Sequence, residues 1–220
     1  MELARRAMLS AGVAAAALPL IDSAPAAAAA PLAGNQAPGF YRLKVGDLEV
    51  TLVNDGVARR PLDAGFVRNA PLEAVQAALA ASFQPTDTVT IPFTTVVVNT
   101  GARLIMIDSG NGTFGAPTSG TWHANFRAAG YTPEQVDTII ISHFHGDHIN
   151  GLRDKDGAPV FANAEIIVPE PEWAFWMDEG QMSRAPEAMQ GAFRNVRRVF
   201  EPAAKDVARY EGEREVAPGV

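Results

Sequence analysis

Residues 142–151 read SHFHGDHING, so three of the chain's four histidines and one aspartate crowd into positions 143 to 148. Imidazole and carboxylate at this density make poor core and poor helix, and the chemistry they share is metal ligation. His143 and His145 stand two apart, separated only by Ser142 from the apolar run Ile139-Ile140-Ile141. In extended backbone that spacing turns both imidazoles to one side, where they can grip one ion. Gly146 lets the chain bend, and Asp147 and His148 are expected in the loop that follows, aimed at a second position close by. A site for two divalent ions is therefore expected. Imidazole with carboxylate suits zinc best, while manganese, iron and cobalt accept the same donors. Such ions lower the pKa of bound water to about 7, which makes hydroxide available for hydrolysis.

The remaining composition narrows the field. The 220 residues include no cysteine, which excludes disulfides, thiolate zinc sites and a cysteine nucleophile. A net charge of -7, with no basic run, argues against a nucleic-acid partner and leaves a small molecule as the expected substrate. Length and a 47% hydrophobic content fit one domain with a sizeable core. The first thirty residues read differently. Arg5 and Arg6 precede an apolar stretch from Met8 to Ile21, and SAPAAAAAP supplies small residues for cleavage. That layout predicts an export signal over residues 1–30, of twin-arginine type, and hence a periplasmic or secreted protein. The apolar stretch is short for a membrane span, and none is expected after cleavage. Residues 31–39 are expected as a linker and 40–220 as the folded domain.

The elements that must position the cluster follow from periodicity. FYRLKVGDLEVTLVNDG predicts a hairpin turning at Gly46-Asp47 and ending at a second turn, Asn54-Asp55-Gly56. Leu72, Val75, Ala78 and Leu79 predict a helix over 71–83. TTVVVNTGARLIMIDSG predicts a strand pair turning at Thr100-Gly101, with Asp108 at its exit. A short helix is expected over 121–129, a buried strand over 138–142, a strand in AEIIVPE, one helix in EPEWAFWMDEG and another in APEAMQGAFRNVRRVFE. His123 is expected on the surface of the short helix, and the RNVRR run on a solvated helix face. Strand and helix segments alternate, so the fold class is α/β.

The motif His143-Phe144-His145-Gly146-Asp147-His148, with Gly151 after it, resembles the H-x-H-x-D-H signature of the metallo-β-lactamase superfamily. Stretches such as RAAGYTPEQVDTIIISHFHGDHINGL and PEWAFWMDE are similar to the branch containing methyl parathion hydrolase and lactonase-like enzymes. The resemblance implies an αβ/βα sandwich with two metals at the edge of its paired sheets. It implies His143 and His145 on the first metal, Asp147 and His148 on the second, and Asp108 as a supporting residue that does not ligate. Asp147 would also orient the attacking water, and Phe114 and Trp176 would line the substrate mouth. The implied reaction is attack by metal-activated hydroxide on an ester, lactone or organophosphate-type substrate.

The same resemblance implies further ligands downstream, so the chain is expected to cover the N-terminal half to two-thirds of the family's domain. Apolar faces left bare would then favour dimerisation. The alternative expectation is a metal-binding remnant without catalytic activity.

Overall fold

Seven strands lie in one sheet in chain order, and the direction of pairing changes halfway across it. The computed structural model describes residues 30–220; the expected export signal lies outside the described residues, which begin at its last position. Residues 30–35 contain no helix or strand, and Gln36–Val220 forms a unit of its own. The strands are β1 (Phe40–Val45), β2 (Leu48–Pro61), β3 (Thr88–Asn99), β4 (Leu104–Ile107), β5 (Thr138–Ile140), β6 (Glu165–Pro169) and β7 (Val207–Tyr210). β1 to β4 pair antiparallel, with short turns joining β1 to β2 and β3 to β4 and a longer connection joining β2 to β3, whereas β4 to β7 pair parallel and need crossovers. The crossover segments carry α2 (Trp122–Ala128), α3 (Gly146–Ile149), α4 (Glu170–Trp176), α5 (Glu179–Arg184) and α6 (Glu187–Phe200). α1 (Leu72–Ala81) belongs instead to the β2–β3 connection.

Alternation along the strands decides where the core lies. Val53, Val97, Met106, Ile139 and Val168 face Trp122 and Phe126 of α2 and Phe193, Val196 and Phe200 of α6 in one buried cluster. Val98 and Ile105 face the other way and meet Ala217. The fold is thus α/β, with helices gathered on one face of a mixed sheet. Phe126 is fully buried, stacked on Trp122 at 4.3 Å and packed against Tyr131. Phe126→Ala is therefore expected to cost about 3–5 kcal/mol, seen as a lower urea midpoint at unchanged slope. A loss below about 1 kcal/mol would show that α2 is not anchored through this ring.

Several local expectations are corrected. Asn54-Asp55-Gly56 does not end the hairpin, because β2 continues to Pro61 with a bulge between Asn54 and Val57. The bulge is held from outside the strand: the Val57 N–H donates to Thr118 O at 2.9 Å, and Asp55 is wholly buried. The helix over 71–83 forms at 72–81 but buries none of its side chains. EPEWAFWMDEG divides into α4 and α5 because Asp178 caps the second, accepting the Gln181 N–H at 2.6 Å. β7 escapes the sequence pattern, being four residues long and adjoining polar segments.

Candidate metal centre

The histidine loop lies at the C-terminal end of β5, beside the end of β4, where parallel strands of open α/β sheets commonly present ligand-binding groups. β5 stops at Ile140, and the chain bends at Ser142 and again at His145 before entering α3. Asp147 and His148 therefore stand on a short helical turn, not in the loop expected. Phe144 alternates inward, stacked on Phe200 at 4.4 Å, and the rings of His143 and His145 lie 4.7 Å apart. The His148 ring comes 3.9 Å from that of His143, so three imidazoles meet at one place.

Asp108 ties this group to the sheet. Its Oδ1 accepts the Ser142 N–H at 2.8 Å, while its Oδ2 contacts both the Ser142 hydroxyl and His148 Nδ1 at 2.8 Å. It holds this position with φ of 62°, a left-handed conformation that a non-glycine residue adopts at a cost. Ser142, which sequence reasoning passed over, also places its hydroxyl 3.1 Å from His143 Nδ1. His148 Nε2 lies 3.1 Å from Asp147 Oδ2, so this imidazole sits between two carboxylates. Burial alone would lower the His148 pKa, but hydrogen bonds to Asp108 and Asp147 and their charges outweigh it and raise it to about 9. The hydrogen bond from His148 in turn lowers the pKa of Asp147. Burial, then the neighbouring His148 and His145, lower that of His143.

The donors suit a divalent ion in kind, offering imidazole nitrogen and carboxylate oxygen in a partly buried cleft. Among the described residues no group of three or more histidine, aspartate or glutamate side chains is arranged to hold one ion. A cavity of about 470 Å³ opens beside Asp147, walled by Ile91 and Phe93 of β3, Asn111 and Phe114 of the glycine-rich loop, and Asn150. Phe114 lies under the Arg198 guanidinium at 3.9 Å, and Arg198 Nη2 donates to Asn150 Oδ1 at 2.9 Å. Arg198 thus packs against the cavity wall, contrary to the solvated face expected for its run. Trp176 is not among the residues lining this cavity. It is buried against Phe193 at 4.7 Å, with its ring 6.4 Å from that of His145. His123, expected at the surface, is half-buried with its ring edge-on to Trp122, and burial followed by the Arg127 charge lowers its pKa.

A mixed sheet with helices on one face and a histidine-aspartate loop at its parallel strand ends defines an α/β protein with a candidate metal centre. Residues 87–219 match the family model of the metallo-beta-lactamase superfamily, and the chain belongs to that superfamily. Among solved structures it is similar to AbOPH, a hydrolase in the beta lactamase superfamily, at 30% identity and a TM-score of 0.74 over 83% of this chain. It is also similar in fold to AidC, a dizinc quorum-quenching lactonase, at 23% identity and a TM-score of 0.76 over 82% of this chain. A third similar fold is a probable metal-dependent hydrolase from Staphylococcus aureus, at 21% identity and a TM-score of 0.62 over 80% of this chain. The chain spans 64% of the length of each of these three proteins. No curated protein sequence matches it.

Proposed function

We propose that this chain carries the donor loop and part of the substrate cleft of a metal-dependent hydrolase acting on esters, lactones or organophosphate-type triesters. The observation that supports this most is the gathering of three imidazole rings at the ends of β4 and β5, with Asp147 facing a cavity large enough for a small organic molecule. His143, His145, Asp147 and His148 would hold two divalent ions, with zinc the best match to their donor atoms. When bound, such ions supply Lewis acidity and a water of lowered pKa.

The chain's own side chains do the rest. Asp108 and Ser142 hold the rings of His148 and His143 in place. Ile91, Phe93 and Phe114 give the cavity an apolar wall that shelters the acyl or alkoxy part of a substrate from water. Asp147 presents its carboxylate at the cavity, where it can accept a hydrogen bond from the attacking water and orient it. No side-chain nucleophile is required.

The test is to measure metal content and hydrolysis of a nitrophenyl ester, an acyl lactone and a phosphotriester, with and without chelator. His145→Ala is expected to abolish both metal retention and metal-dependent turnover. Turnover surviving complete chelation would sink the proposal, and metal binding with no turnover by any form of the protein would favour the metal-binding remnant. Export by the twin-arginine route is proposed from Arg5, Arg6 and the apolar run after them. Replacing both arginines by lysine should leave the protein in the cytoplasm on fractionation.

A further inference from the structure

We propose that Glu172 is a positioning residue for the histidine loop, setting where His143 and His145 aim. The proposal rests on reading those two histidines as metal ligands. One oxygen of Glu172, Oε2, accepts the backbone N–H of Phe144 at 2.9 Å and the indole N–H of Trp176 at 3.0 Å. Phe144 is the residue between the two imidazoles, so the peptide plane that this oxygen holds is the one linking His143 to Phe144. A rotation of that plane would swing both rings.

The loop has no ladder to restrain it there, because β5 has already ended at Ile140. Two outside anchors take the ladder's place. The Phe144 ring is locked in the core against Phe200, and its N–H is locked by Glu172 on α4. Trp176 completes the clamp: its indole fixes the carboxylate from one side, while its buried ring stands edge-on to His145. This gives a role to the EWAFW segment, whose two tryptophans lie outside the cavity wall.

Because both bonds land on one oxygen, glutamine at this position can keep them by placing its carbonyl there, and alanine loses both. NMR of the metal-free protein reads the positioning directly. In E172A the imidazole signals of His143 and His145 and the indole N–H signal of Trp176 should all move, whereas E172Q should keep them near their native positions. In a titration with Co2+ followed by its visible absorption, E172A should bind about ten- to a hundredfold more weakly, and E172Q should restore most of that loss. If E172A does not fold, W176F carries the test, since it keeps a ring but deletes one donor and should shift the His145 signals. Histidine signals and Co2+ affinity unchanged in the folded variants would overturn the proposal. A wild-type protein that binds no Co2+ sinks the metal reading, while the metal-free spectra still decide the role of Glu172.

Discussion

Gly151→Ala is expected to lower stability by about 3 kcal/mol and to loosen the histidine loop with it. A Cβ at this position would fall 1.9 Å from the carbonyl oxygen of Ser109 and 2.8 Å from its carbonyl carbon. Both obstacles are backbone, so no rotamer change relieves the clash. The two segments are also stitched together, the Gly151 N–H donating to Gly110 O at 3.0 Å and the Ser109 N–H to His148 O at 2.8 Å. Pushing them apart drags Asp108 away from His148, and metal retention should fall along with stability. Gly101→Ala is the control, since Gly101 has a φ of 83° but open space around its would-be Cβ. It should cost only about 1 kcal/mol, from backbone conformation alone. Equal losses in urea denaturation for the two variants would show that the close approach at Gly151 is absent.

Asp55→Asn, although nearly isosteric, should cost about 3 kcal/mol, because this buried carboxylate is surrounded by donors. Oδ2 accepts the Asn111 N–H at 2.6 Å and the Asn111 side-chain amide at 2.9 Å, and Oδ1 accepts the Trp122 N–H at 2.9 Å. An amide at position 55 must turn its NH2 toward one of these sets, leaving donor against donor with no water to mediate. The three joined segments are the bulge of β2, the glycine-rich loop and the start of α2, and the loop carries Asn111 and Phe114 of the cavity wall. Under the proposed hydrolase function the variant should therefore raise KM as well as lower the denaturation midpoint. A loss below about 1 kcal/mol would mean that the carboxylate does not organise this junction.

Asp55 and Glu172 show where sequence reasoning reached its limit. Asp55 was legible only as a turn residue in Asn54-Asp55-Gly56, because its partner Asn111 lies 56 positions away. Glu172 was legible only as a helix residue, because Phe144 lies 28 positions before it. Trp176 was a candidate for the cavity mouth through the family resemblance, and the structure packs it against Phe193, outside the lining of the cavity beside Asp147.

The sequence by itself determined the cluster of candidate donors and the class of architecture. His143, His145, Asp147 and His148 are neighbours in the chain, and the strand and helix periods depend only on local spacing. Tertiary structure alone decided that β2 runs through its bulge and that α1 buries no side chain. It also decided that Ser142 joins Asp108 against the imidazoles and that Arg198 covers Phe114. The reason is physical: hydrogen-bond donors and apolar surfaces are satisfied by whatever the fold brings near, and chain order does not record that proximity.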